Sequence, residues 1–287
     1  MKLASYNIQY GIGLDGGYDL NRIAESLAGA DIIGLQEVTR GLSRNGSVDM
    51  VAALKELFPH YFSSFAAPCD VLLGIDEVDG RPVERRLQFG NMVLSRWPIL
   101  AVRHLLLPRS RTFNKLNLQR GAVEAVVDTP DGPLRFYSVH LDHVSPDERI
   151  EQIRFLKSRA LDYVNEGGAL TGAEEFGFTD PPLPENFVMM GDFNMTPESP
   201  EYLEMVGRGD SYYQRSLRAN QMVDACAHLG LVTQDSYTWV KSPGDGTQKM
   251  HLDHCFINPQ LAARVQSARV DHQARGSDHF PVWLELA

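Results

Sequence analysis

Cysteine is scarce in this 287-residue chain: Cys69, Cys226 and Cys255 are all it has, and none belongs to a CxxC pair. So sparse and odd a set excludes a disulfide framework and a zinc ribbon. Cations are in deficit too, with 27 Lys and Arg against 37 Asp and Glu, a formal charge of −10. Tight, sequence-indifferent binding to polyanions comes from Lys and Arg displacing counterions, so this balance argues against it while leaving room for a local basic groove. No apolar run approaches the ~18 residues of a membrane span. No basic segment followed by an apolar one opens the chain, so no leader is read and the cytoplasm is the default compartment, unless a leader has been trimmed. Repeats and low-complexity tracts are lacking as well, which excludes arrays and solenoids.

What is present is ordinary for a globular protein: 43% hydrophobic and 22% charged residues. That balance excludes global disorder. A chain of this length buries roughly three quarters of its unfolded surface and needs no covalent staple. Residues 1–287 are read as one domain.

Periodicity sketches the elements. Lys2 to Tyr10 reads as a strand that carries Asn7 and Gln9 at its end. Asp19 can cap a helix running to Ala28, with Leu20, Ile23, Ala24 and Leu27 on one face. A short apolar strand from Ile32 to Val38 holds Gln36 and Glu37, and a helix from Val48 to Leu57 is stopped by Pro59. Strands are expected over Asn91 to Leu94, Ala122 to Asp128 and Leu134 to Leu141, the last two joined by the turn Pro130-Asp131-Gly132. Asp147 to Val164 reads as a long helix, and 165–186, rich in Gly, Pro and acids, as a surface loop. Phe187 to Met190, Leu252 to Ile257 and His279 to Leu286 complete the strands. Helices and hairpin-linked strands are mixed, unlike the regular alternation of a doubly wound sheet.

One motif points elsewhere. Gly11-x-Gly13-x-x-Gly16 follows a strand, precedes a helix and has Glu37 about 20 residues on, as a dinucleotide fingerprint requires. In that fingerprint the third glycine lies in the helix. Here Gly16 and Gly17 precede the cap Asp19, so a glycine-rich turn is the better reading.

A second pattern carries more. Acids, amides and histidines stand at the ends of successive strand-like runs: Asn7, Glu37, His140, Asp192 with Asn194, Asp253, and Asp278 with His279. Strand ends along one sheet edge bring side chains together. Carboxylates with carboxamides suit a hard cation such as Mg2+ or Mn2+, and histidines with further acids remain for phosphate contact and water activation. Each piece has a bland alternative. Glu37 alone can be a solvated turn residue, and Asp192 with Asn194 can form a turn. His140 can be a satisfied core histidine, and Asp278-His279 a loop capped by Ser277. Order and spacing together favour chemistry.

The segments SYNIQYG, GLQEV, FGNMVLSRWPI, LQRGAVEAVV, VHLDHVSPDERIEQ, VMMGDFN, TW followed by HLDHCFI, and GSDHFPV occur in this order over nearly the whole chain. The set resembles the endonuclease/exonuclease/phosphatase superfamily. That group includes pancreatic-type deoxyribonuclease, abasic-site endonucleases, inositol-polyphosphate 5-phosphatases and bacterial sphingomyelinases. The resemblance implies a four-layered α/β sandwich, two packed mixed sheets between helices, with an active site at one edge. It implies Glu37 as principal metal carboxylate, with Asn7 beside it and Asp278 completing the metal region. Asp192 would orient or deprotonate water, Asn194 and His140 would contact phosphate, and His279 would face the scissile phosphate, positioned by Asp253. Whether Asp192 or His279 is the base stays open.

Two departures point away from abasic-site repair: Gln9 stands where those enzymes carry Asp, and His140 where they carry Tyr. The VHLDHVSPDERIEQ stretch, with His143, Arg149 and Gln152, is typical of members of unassigned substrate. HLDH recurs at 251–254, yet the HxHxDH run of binuclear zinc hydrolases is absent. Arg85, Arg86, Arg109, Arg111 and Arg120 form a basic stretch that reads equally as a substrate groove or a solvated face. Arg120 and Trp239 are the candidate substrate contacts. The resulting expectation is a metal-dependent hydrolase of a small or lipid-derived phosphoester. A Mg-dependent nuclease on DNA or RNA and a catalytically silent module of the same fold are the alternatives; oligomeric state is unassigned.

Overall fold

Successive residues in each strand point to opposite faces of its sheet, and three cores result, one between the sheets and one outside each. The computed structural model describes residues 1–241 and 248–287. In chain order its strands begin with β1 (Lys2–Asn7), β2 (Ile32–Arg40), β3 (Phe62–Val78), β4 (Arg81–Ser95) and β5 (Ile99–Leu106). Then come β6 (Gly121–Thr129), β7 (Gly132–His140), β8 (Phe187–Asp192), β9 (Val223–Asp224) and β10 (Trp239–Val240). The last are β11 (Lys249–Met250), β12 (Asp253–Ile257), β13 (Val265–Val270) and β14 (Val282–Leu286). Two six-stranded mixed sheets have the orders β13-β14-β1-β2-β4-β3 and β5-β6-β7-β8-β12-β9, and β10 with β11 forms a small ribbon.

Leu3, Ile32, Val93, Phe136, Val188 and Met190 belong to the core between the sheets. Their neighbours Ala4, Ile33 and Met92 belong to a second core, beneath the helices α1 (Leu20–Ser26) and α2 (Met50–Leu57). Tyr137, Phe187 and Met189 belong to a third, with Ile153 and Leu156 of α3 (Pro146–Leu161) and Met205. Strand side chains alternate between faces, so a run that is apolar at every position marks a strand covered on both sides. The result is an α/β sandwich. Three shorter helices follow: α4 (Tyr163–Glu166), α5 (Pro200–Val206) and α6 (Ala225–His228).

Several elements depart from the periodicity reading. The helix expected from Asp147 to Val164 ends at Leu161, with Asp162 leading into the separate turn α4. The strand read at Asn91 to Leu94 is the buried end of a 15-residue β4. Its partner β3, and β5 and β13, lie outside the expected strands, because their burial is partial and their alternation weak. Gly11, Gly13 and Gly16 all precede α1, whose cap is the Asp19 carboxylate bonded to Asn21 N, so the glycine-rich turn is what forms.

Parallel pairing places the site. β1 runs parallel to β2, and β7 parallel to β8, so Asn7, Glu37, His140 and Asp192 stand at or near strand ends of like direction. β12 and β14 run antiparallel to β8 and β1, so Asp253 begins β12 at the same edge and 278–279 lie just ahead of β14. Gly191 is required where β8 meets β7: a Cβ there would lie 1.9 Å from the Val139 carbonyl oxygen.

Candidate active site

The edge is a cleft of about 570 Å³ lined by Glu37, Arg120, His140, Asp192, Asn194, Trp239, Asp278 and His279 among others. Asp192 is at its centre. Its Oδ2 accepts a bond from Asn7 Nδ2 at 2.9 Å, and its Oδ1 one from the backbone N–H of Asn194 at 2.9 Å. His140 Nε2 is 3.4 Å and His279 Nε2 3.7 Å from the same Oδ2. The cross-strand registers His140↔Asp192 and Asp253↔Asp192 explain why three residues so far apart in sequence meet.

Asp253 holds the far side of His279, whose Nδ1 lies 2.8 Å from its Oδ2. The Thr238 hydroxyl donates to that same oxygen at 2.6 Å and accepts from the backbone N–H groups of Leu252 and Asp253. Ser277 donates to the Asn7 carbonyl at 2.8 Å and accepts from the His279 N–H, so it ties the β14 approach to the end of β1. The capped-loop reading of Ser277 is therefore correct and compatible with a site. Trp239 donates its indole N–H to Asp278 Oδ2 at 3.0 Å.

Glu37 takes the left-handed region, φ 60°, where the β2–β4 register slips between Leu35 and Val38. A bulge of this kind re-aims a side chain at a sheet end. Its carboxylate receives one long bond, 3.3 Å, from Asn7 Nδ2. Burial pushes its pKa up from 4.5 to about 7, and Asp278 and Asp192 add to the rise against His279 and Arg120. Burial also raises Asp192. Burial opposes protonation of His279, but Asp253, Asp192 and Asp278 overcome it and push its pKa up to about 10.

Arg120 supplies a buried cation. Its Nη1 lies 3.0 Å from His140 Nε2 and its Nη2 2.9 Å from His143 Nδ1. A guanidinium only donates, so both rings accept and are held neutral. Burial, then the Arg120 charge, lowers the pKa of each accordingly. Arg120 Nε is buried without a hydrogen-bond partner among the described residues.

The edge thus brings together Asn7, Glu37, Arg120, His140, Asp192, Asn194, Trp239, Asp253, Asp278 and His279. Some details differ from expectation. Asn194 Nδ2 is engaged with the Leu141 carbonyl at 3.2 Å, and Trp239 orients a carboxylate. Arg85 and Arg86 lie in ion pairs with Asp76, Asp70 and Glu84, whereas Arg109 and Arg111 are exposed. The second HLDH is structural at His254, whose ring is buried between Asp224 and the Met195 carbonyl. Two side chains join the site without a sequence expectation: Thr238, and His143 as an acceptor from Arg120. Thr238 has a signal as the residue before Trp239, and His143 stands in the VHLDH segment.

Ligand atoms of Asp192, Asp253 and His279 lie within 4.8 Å of one another, a group able to hold a metal ion. Among the described residues, no helix is long and apolar enough to cross a membrane.

A family model described as Endonuclease/Exonuclease/phosphatase family matches residues 4–279. No curated protein sequence matches the chain. Solved structures do. An endonuclease/exonuclease/phosphatase from Bacteroides vulgatus has 18% identity and a TM-score of 0.67, over 100% of this chain and 98% of the other. The mannosyl-6-phosphatase Bt3783 of Bacteroides thetaiotaomicron VPI-5482 has 20% identity and a TM-score of 0.64, over 100% and 99%. A humanized D. rerio TDP2 has 16% identity and a TM-score of 0.58, over 100% and 98%. At these identities the likeness is one of fold.

Proposed function

The chain belongs to the Endonuclease/Exonuclease/phosphatase family, and from that premise we propose that it is a divalent-metal-dependent hydrolase of a small or lipid-derived phosphoester, its 287 residues acting as one domain. The observation that carries this reading is Asp192, fixed between Asn7 and the Asp253–His279 pair with Arg120 and His140 across from it.

Glu37, Asn7 and Asp278 fit a cation better than the Asp192, Asp253 and His279 group does. Asp253 Oδ2 is already occupied by Thr238 and His279, and a protonated His279 has no lone pair to offer. Glu37 is a crowded carboxylate with one weak partner, the environment a hard cation relieves. Mg2+ or Mn2+ held there would offset charge on the phosphate oxygens.

The remaining work falls to this chain's own groups. Asp192, with raised proton affinity and both oxygens fixed, takes the proton of the attacking water. His279 presents an imidazolium N–H to the phosphate, with Asp253 holding the ring. Arg120 offers positive charge, and its unpartnered Nε marks an unmet donor beside the cleft. Fixed donors in a buried site stabilise developing charge without reorganising. This assigns the base to Asp192 and the electrostatic role to His279.

A cleft of about 570 Å³ is in the range of small-molecule sites. That favours a small head group over a polymer. Hydrolysis of bis(p-nitrophenyl) phosphate with Mg2+ or Mn2+, abolished by EDTA, tests the proposal. Absence of turnover on every phosphoester and metal tried would leave a silent module. Plasmid nicking at low salt with no small-ester turnover would move the substrate to nucleic acid.

A further inference from the structure

The β3–β4 hairpin extends beyond the sheet. β2 pairs with β4 only as far as Arg40↔Gln88, yet β3 and β4 continue together to Val78↔Arg81. Glu37 lies near that end of β2, so the two-stranded arm rises from the rim of the cleft. Aliphatic side chains cover it without burial: Leu72 is 48%, Leu73 51% and Ile75 63% exposed.

The 107–120 loop ends beside the arm's base, because Gly121 lies against Pro68 of β3. It carries Phe113, 85% exposed, and Leu116, 73% exposed. Arg109, Arg111, Lys115 and Arg120 give it four cations and no acid, within a chain whose sum is −10. Arg109, Arg111 and Lys115 face solvent, and Arg111 lies over the Phe113 ring at 4.6 Å. Glu148 fixes the loop's base by accepting from Ser110 N at 2.8 Å and Ser110 Oγ at 2.7 Å. The apolar tips are therefore presented by an anchored segment.

Exposed apolar groups beside cations, at the mouth of a cleft, are the features of an interfacial surface. We propose that the arm and the 107–120 loop dock this protein on a bilayer containing anionic phospholipid, with the cleft facing the lipid surface. The side chains separate this occupant from others. On the arm and the loop Phe113 is the one exposed ring, and Arg111 lies over it; the other exposed apolar groups are Leu, Ile and Val, so there is no row of rings for successive bases, which single-strand binders supply. Pairing of two copies through the free edge of β3 is hindered by its register breaks at Ala66/Cys69 and Leu72/Gly74. Two copies meeting through the loop would also bring like charges together. An anionic surface matches the three solvent-facing cations of the loop, and its hydrocarbon matches the apolar side chains of loop and arm; the arm carries both signs, with Asp76, Glu77 and Asp79 near its turn and Arg81, Arg85 and Arg86 behind them, so the loop supplies the attraction.

Sedimentation with sucrose-loaded vesicles, in EDTA and without any substrate, tests this separately from the hydrolase reading. Two vesicle types serve: phosphatidylcholine alone, and phosphatidylcholine with a third replaced by phosphatidylserine. The full chain is expected to partition at least tenfold more onto the phosphatidylserine vesicles, an excess lost at about 0.5 M salt. Arg111→Glu with Lys115→Glu should abolish the excess. Phe113→Ser with Ile75→Ser should lower partitioning by about a hundredfold, as expected for losing two inserted side chains. Circular dichroism and hydrolysis of a soluble ester should be as in wild type for both variants, which shows that they fold. Failure of the wild type to sediment, or wild-type sedimentation by both variants, overturns the proposal. So does a DNA-retardation or dimerisation signal that these variants abolish, which would give the surface to nucleic acid or to a second copy.

Discussion

Replacing Glu37 by Gln should make the metal-free protein more stable while removing its response to divalent cations. Glu37 has one weak hydrogen bond and two carboxylates near it, and its pKa stands at about 7 against an ordinary 4.5. Between those values the folded chain holds a proton that the unfolded chain has released. Stability therefore falls as pH rises through that window, and the loss is complete above the folded value. A rise of this size corresponds to roughly 3 kcal/mol. In a chain of this size 1 kcal/mol moves the melting temperature by about 2 °C, so the variant should melt roughly 5 °C higher near pH 8. Near about pH 4 both side chains are neutral and the two proteins should melt alike. Calorimetry in EDTA reads this directly. Adding Mg2+ or Mn2+ near pH 8 should then raise the wild-type melting temperature and leave the variant's unchanged. A variant no more stable than wild type near pH 8, or one that keeps the cation-induced rise, refutes the reasoning.

Two further outcomes follow from the same geometry. In Asp253→Asn, His279 loses the carboxylate that holds it charged, and burial then disfavours the imidazolium. The basic limb of the pH profile of kcat/KM, expected near the wild-type value of about 10, should move down to neutral pH or below; a profile that does not move removes His279 from the reaction. Gly191→Ala would press a Cβ against the Val139 carbonyl, which is backbone and cannot rotate away. Its melt should show a loss of at least about 3 kcal/mol, whereas wild-type stability would mean that β7 and β8 separate easily.

Legibility in the sequence followed burial and locality. Phe187–Asp192 is buried at every position, so the strand and its terminal Asp192 were plain in the residues. Asn194 and His279 were readable because short local segments place them beside Asp192 and Asp278. The convergence of His140, Asp192 and Asp253 came from motif order, since only cross-strand register brings them together. The arm is hidden in the sequence for the opposite reason. Phe62–Val78 is mostly exposed, and its register breaks spoil the alternation that marks a half-buried strand. Thr238 acts through one hydroxyl on a carboxylate 15 residues away, a relation that leaves no periodic trace. The −10 charge also reads differently in place: Glu37, Asp192, Asp253 and Asp278 gather at one edge, and the 107–120 loop beside them is basic.

Asp192 is the point on which the account turns, and its removal is the most direct test. With Mg2+ or Mn2+ and bis(p-nitrophenyl) phosphate, Asp192→Ala should turn over about a thousandfold more slowly than wild type while keeping its fold by circular dichroism. A well-folded Asp192→Ala protein that hydrolyses the ester at the wild-type rate would contradict the account.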